Sequence, residues 1–321
     1  MLKFIIRRIF LSLLLLLGIS LMTFVFIQLT PGNFFDALKL DPRISPETIA
    51  HYEKLYHLDK PLIEQYGSWL KNLLKFDFGY SFYYSCPVTQ ILKGRLWNTF
   101  VLSLSSLLFT WLIALPLGIV MAVYRNRFID KFLSFLSFLC LSVPSFFLAI
   151  VLLYVVSLFG GLPLGGMQSV AAERLGFLGK FFDLLRHLVI PTIVISLGTM
   201  AGLQRIMRSN LLEVLGQQYI LAARAKGLSE HKVIFKHALR NAINPMITIL
   251  GYHFSELLSG AALVEIICNW PGIGSLMLTA VRAKDVYLVM ASMLMGGILL
   301  LLGNLLADIM LAWVDPRIRH E

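Results

Sequence analysis

Apolar residues in this chain come in long, nearly unbroken runs, with the polar residues gathered between them. The runs cover about Ile9–Leu29, Phe100–Val123, Phe132–Leu158, Leu188–Gln204, Pro245–Ile267 and Val286–Val314. Each approaches or exceeds the ~20 residues that carry a helix across the hydrocarbon of a bilayer. The pattern predicts an all-α integral membrane protein with six spanning helices. Two polar stretches between the runs are too long for bare loops. In the first, residues 31–99, Ser45-Pro46-Glu47 reads as a helix start with proline at the first position. After Pro61, Ile63, Tyr66, Leu70, Leu73 and Leu74 recur at helical spacing. The spacing predicts short amphipathic helices against the membrane domain. The second stretch, residues 209–244, interrupts the most hydrophobic part of the chain. A helix is expected over Leu211–Lys226, a turn with positive φ at Gly227, and a second helix capped by Ser229. Ile234, Phe235, Ala238, Leu239 and Ala242 form an apolar stripe on it, away from Lys232, Lys236 and Arg240. Asn244-Pro245 then opens the next span.

Composition supports the membrane reading: 58% of residues are hydrophobic and 14% charged, against roughly 25% charged in soluble domains. Lys3, Arg7 and Arg8 precede the first run, whose length and lack of a small-residue cleavage site suit a retained helix rather than a signal peptide. With the N-terminus inside, six spans return the C-terminus to the same side. The segments assigned inside then hold essentially all of the net charge of +10, as expected of basic cytoplasmic loops. Nucleic acid is not needed to account for it. Cys86, Cys140 and Cys268 are scattered, with no metal-ligand spacing; Cys86 and Cys268 could pair only if both lie outside the membrane.

The motifs of enzyme sites are absent. There is no phosphate-binding G-x-x-x-x-G-K-[ST], no H-E-x-x-H and no G-x-S-x-G. A catalytic or ATP-binding role for this chain has no residues to carry it, and no bound cofactor or metal is expected. His231 and His237 read as solvated or interface groups. Glu256 and Asp308 fall inside spans, with His253 near the first. Carboxylates there are costly and mark either a path for solutes or a structural pairing, for instance with Asn304.

The stretch "AARAKGLSEHKVIFKHALRNAINP", residues 222–245, resembles the cytoplasmic EAA loop of the membrane subunits of bacterial ABC importers. Ala222, Ala223, Gly227, Ile243 and Pro245 match that pattern, and Leu221 stands where its glutamate is expected. "LDKPLIEQYGSWL", "FGYSFYYSCPV", "GRLWNTFVLSL", "VEIICNWPGIGSLMLTAVRAKDVYLV" and the terminal "DPRIR" are similar to segments of the dipeptide/oligopeptide permeases, in the same order along the chain.

The resemblance implies a type I ABC importer permease fold, organised as a first span (1–30), a helical extracytoplasmic segment (31–99) and a five-helix core (100–321). It implies a multi-pass protein of the bacterial inner membrane. It further implies a second homologous permease subunit, two ATP-binding subunits carrying ATP-Mg, an extracytoplasmic substrate-binding protein and a peptide substrate. Coupling to the ATPase would fall to Ala222, Ala223, Gly227, Ile234, Phe235, Ala238 and Leu239, and the path to Glu256, His253 and Asp308. The same machinery also serves nickel chelates, glutathione and other small solutes. A carrier driven by an ion gradient, using Glu256 and Asp308, is the alternative of a different class.

Overall fold

The computed structural model describes residues 2–32, 60–246, 249–250, 252–253 and 262–314, with positions 34, 35, 39, 45, 47, 49 and 54. The described elements run, in chain order, α1 (Leu2–Leu29), α2 (Leu62–Leu73), β1 (Tyr80–Ser81), β2 (Cys86–Pro87), α3 (Val88–Val123), α4 (Phe128–Ser142) and α5 (Ser145–Phe159). There follow a 3-10 turn (Val170–Arg174), α6 (Phe177–Leu215) and α7 (Gln218–Ala225). The next helix comes in three pieces, α8 (Glu230–Lys232), a π-helical turn (Val233–Ala238) and α9 (Leu239–Ala242). Last come α10 (Ala262–Ile267), α11 (Ile273–Arg282) and α12 (Val286–Val314).

Among the described residues, four helices are long and apolar enough to cross a membrane, α1, α3, α6 and α12, or five if the pair α4 and α5 counts as one span. The expected span Phe132–Leu158 is thus not one straight helix. It bends by 102° at a break before Ser145. Pro144 causes the break: Val143 takes φ −99 and ψ 123, the extended backbone imposed on a residue preceding proline. The expected span Pro245–Ile267 is described only in part, and Glu256 lies outside the described residues. Two helices overrun their expected limits. At 1.5 Å per residue, the 36 residues of α3 reach about 54 Å, well beyond the ~30 Å of hydrocarbon. Hydropathy misses such ends because they carry charge, Lys93 and Arg95 on α3 and Asp183 and Arg186 on α6.

The chain divides into two compact units, residues 1–99 with 271–301, and residues 100–270 with 302–321. The expected five-helix core of 100–321 is therefore shared between units. In the first unit, α2 packs along α1: the Tyr66 and Ser20 hydroxyls are 2.8 Å apart and the Phe24 and Tyr66 rings 5.3 Å. Trp69 is buried, with Tyr66, Leu70 and Leu73 beside it. Ile63 and Leu74, expected on that stripe, are exposed, since they sit at the two ends of the helix. Glu47 and Ile49 are helical, near the start read at Ser45; Pro46 lies outside the described residues.

Asp285 joins distant parts of this unit. It lies just ahead of α12 and is fully buried. One carboxylate oxygen accepts the Leu288 N–H at 3.2 Å, capping α12. The other accepts the Ser81 hydroxyl at 2.7 Å and the Tyr83 N–H at 3.1 Å, from the β1–β2 hairpin. Burial pushes the carboxyl above its ordinary value, against the hydrogen bonds from Ser81, Tyr83, Leu288 and Phe82. Close by, Gly79 has φ +92 and an added Cβ would meet the Tyr287 ring at 2.8 Å.

The second unit is built around α3 and α6. Gly118 lets their backbones approach: a Cβ there would stand 2.6 Å from the Gln204 carbonyl oxygen and 2.7 Å from Met207 Cβ. Small residues at such crossings are the usual means of close helix packing in lipid. Asp130, at the start of α4, is buried and accepts both Arg208 Nε at 2.7 Å and an Arg208 terminal nitrogen at 2.8 Å, in fork geometry. Its second oxygen also accepts the Asn126 N–H at 2.9 Å. All three cysteines are free thiols.

Two outcomes are expected. Gly118→Ala wedges α3 from α6 and costs about 1–3 kcal/mol, seen as a lower thermal midpoint in detergent with normal membrane insertion. Asp285→Ala leaves buried donors without an acceptor, at about 1–3 kcal/mol. Because the folded chain holds the Asp285 proton above the unfolded value of ~3.9, that carboxyl's contribution is complete below this value. It is lost as pH rises through the folded value. The gap in midpoint between wild type and Asp285→Ala therefore narrows as pH is raised from about 4, and a gap that widens contradicts the assignment.

Candidate functional site

The polar interruption after α6 folds as an elbow. Helix α6 ends at Leu215, Gly216 and Gln217 turn the chain, and α7 runs Gln218–Ala225. The single helix expected over Leu211–Lys226 is thus two helices. Gly227 then adopts φ +77. Its N–H donates to the Arg224 carbonyl at 2.9 Å and the Leu228 N–H to the Ala223 carbonyl at 3.4 Å, the paired bonds of a Schellman turn with glycine in the left-handed position. No atom lies within 4 Å of an added Cβ, so glycine is required there by its backbone angle and not by crowding. Across the turn, Arg224 Nε donates to Glu230 Oε1 at 2.8 Å, fastening α7 to α8. Ser229 occupies the position before α8 but makes no side-chain capping bond.

The inner face of the elbow belongs to the core of the second unit. Ile220, Val233, Ala238, Ala242 and Met246 are buried with Leu203, Met207 and Leu211 of α6 and with Ala114 and Ala122 of α3. The apolar stripe expected on the second elbow helix therefore splits. Ile234 and Ala238 are buried, Leu239 is half-buried, and Phe235 is 49% exposed, its ring 4.6 Å from that of His231. The reason is the π turn over Val233–Ala238, which holds an extra residue per turn and so shifts which side chains share a face. Outward, the elbow presents Leu221 (46% exposed), Leu228 (37%) and Phe235, with Ala222 and Gly227 exposed and Ala223 half-buried. Leu221 occupies the position of the expected glutamate.

The candidate path residues do not form one described cluster. His253 packs its ring 6.4 Å from Trp111 of α3, edge to face. Asp308 is buried on α12. Sequence reasoning missed the Arg224–Glu230 and Asp130–Arg208 pairs. The first was open to discovery, as opposite charges flanking a glycine turn; the second joins residues 78 positions apart and had no local signal. Among the described residues, no group of His, Cys, Asp and Glu is placed to hold a metal ion.

An elbow packed into two long membrane helices on one side, with an apolar outer surface, is what a membrane subunit moved by a partner requires. Known proteins agree. Over its full length the chain is 38% identical to the oligopeptide transport system permease protein AppB of Bacillus subtilis, also covering all of that protein. It is 34% identical to the dipeptide transport system permease protein DppB of Escherichia coli, again with full coverage of both. Among solved structures, a chain of the MetNI methionine ABC transporter in an inward-facing conformation has the same fold, with a TM-score of 0.56 and 18% identity. The match covers 71% of this chain and 97% of that one. The model of the N-terminal part of binding-protein-dependent transport membrane components matches residues 1–104, and that of the inner membrane component itself matches residues 114–320. The chain belongs to the family of inner membrane components of binding-protein-dependent transport systems, as a membrane-embedded transport subunit and not an enzyme.

Proposed function

We propose that this chain is the permease subunit of an ATP-driven importer of di- or oligopeptides, forming half of the translocation path. The observation that carries the proposal is the two-sided elbow: Leu221, Leu228 and Phe235 face outward while Ile220, Val233 and Ala238 share a core with α6 and α3. A groove on an ATPase subunit takes the outer face, as an amphipathic helix is taken by an apolar groove. Movement of that subunit then tilts the elbow and the helices packed on it as one body. In this scheme Ala222, Ala223, Gly227, Phe235 and Leu239 lie at or beside the contact, and Ile234 and Ala238 hold the elbow in place from within.

The partners are two ATP-binding subunits carrying ATP-Mg, a second homologous permease and an extracytoplasmic substrate-binding protein. The chain sits in the bacterial inner membrane with both termini and the elbow in the cytoplasm, and residues 31–99 outside. His253, Glu256 and Asp308 are the candidates for lining the path. Relatives named for oligopeptide and dipeptide transport, aligned end to end, support peptides over nickel chelates or glutathione as cargo. An ion-coupled carrier has less support, because the described intramembrane carboxylates make no relay.

Orientation is tested by single cysteines at Lys71 and Lys226 in a background lacking Cys86, Cys140 and Cys268. An impermeant thiol reagent applied to intact cells should label the first and not the second; labelling at Lys226 contradicts the arrangement. Coupling is tested with Gly227→Val, which strains the turn by about 1–3 kcal/mol, and with Phe235→Asp, which puts a charge in the contact. Both should reach the membrane at near-normal levels. Peptide uptake in vesicles supplied with ATP and the ATPase subunits should fall at least tenfold, and the ATPase subunits should co-purify less. Full uptake by both variants excludes the elbow as the coupling element. Uptake by the purified chain alone, driven by a pH gradient, establishes the carrier reading instead.

A further inference from the structure

The elbow has a second concave feature that uses none of its exposed apolar residues. A basin of about 590 Å³ is lined by Tyr219, Lys236, His237, Arg240, Asn241 and Asn244. Every lining side chain is polar, and none is a carboxylate. Lys236 and Arg240 have no acidic partner among the described residues, since the acid of the elbow, Glu230, is held by Arg224 at 2.8 Å. Asn241 Nδ2 donates to the Tyr219 hydroxyl at 2.7 Å, which fixes two lining groups and leaves the Tyr219 O–H to donate elsewhere. Arg240 presents a planar fork of donors, Lys236 a point charge, and Tyr219, Asn241 and Asn244 neutral hydrogen-bonding groups. Uncompensated positive charge in a concave polar site is relieved by an anion, and this many donors exceed what the two oxygens of a carboxylate can accept. They suit the three or four oxygens of a phosphate group. Asn244 immediately precedes the stretch expected to re-enter the membrane at Pro245, so the basin falls at headgroup depth, where basic pockets meet anionic lipid.

We propose that this basin binds a phosphate oxyanion, supplied in the membrane by an anionic phospholipid headgroup, and that the bound headgroup ties the elbow to the bilayer surface. The test uses the full chain, with whatever subunits co-purify, in an uncharged detergent. Thermal midpoints are recorded with short-chain phosphatidylglycerol, with phosphatidylcholine of the same chain length, and with inorganic phosphate. Phosphatidylglycerol should raise the midpoint by about 2–5 °C and phosphatidylcholine should not. The shift should disappear in K236Q/R240Q, shrink in Tyr219→Phe, and survive in K226Q/K232Q, which removes two exposed charges of the same elbow outside the basin. If K236Q/R240Q accumulates poorly, Arg240→Gln alone should lose at least half of the shift. A shift with inorganic phosphate, showing the same pattern across variants, keeps the site and makes the free anion its source. No shift with either anion overturns the proposal. So does a shift that the basin variants leave intact, or one that the control pair abolishes equally, which marks diffuse surface attraction.

Discussion

Surrounded by hydrocarbon, a peptide N–H or C=O has no water to turn to, and each one left unmade costs several kcal/mol. That constraint shapes the whole chain: long helices wherever lipid is near, and a compensated stop wherever a helix must end. The stops share one device. After α2, α7, α10 and α11 the backbone passes through a left-handed residue, at Phe76, Gly227, Asn269 and Lys284. In each case the next N–H reaches back five residues to a carbonyl that the helix would otherwise leave open: Asp77 to Asn72, Leu228 to Ala223, Trp270 to Glu265 and Asp285 to Ala280. Only one of the four uses glycine. The others accept an unfavourable φ to keep side chains that glycine lacks.

The same logic of compensation governs the buried charges. Asp285 and Asp130 are each surrounded by donors, one by hairpin and helix-end N–H and O–H groups, the other by the fork of Arg208. Each draws together segments far apart in the chain. They act as pins at the edges of the apolar packing, where burial alone has little directional preference.

The helical membrane character of the chain was legible because α1, α3, α6 and α12 are written as long apolar runs, and the turn at Gly227 because a glycine between two helical patterns leaves few alternatives. The bend at Pro144 was written too, but inside an apolar run of uniform hydropathy, where the window sees composition and not backbone angle. Which face of the elbow turns inward was not legible. Periodicity assumes 3.6 residues per turn, and the π turn at Val233–Ala238 breaks that assumption in the middle of the pattern. The ion pairs and the Asp285 junction depend on residues that only folding brings near one another.

The π turn bears on how such a loop can change over evolutionary time. A π turn amounts to one extra residue accommodated in a helix. Removing a residue between Val233 and Ala238 would restore an ordinary helix and rotate everything after it by about 100°. Ala242 and Met246 would swing out of the core, and Asn244 and Pro245 would enter the next helix on a different bearing. Side chains on this elbow are free to drift, since many of them face outward, but its length is not. Lineages descending from this sequence should vary the letters of this segment far more readily than their number.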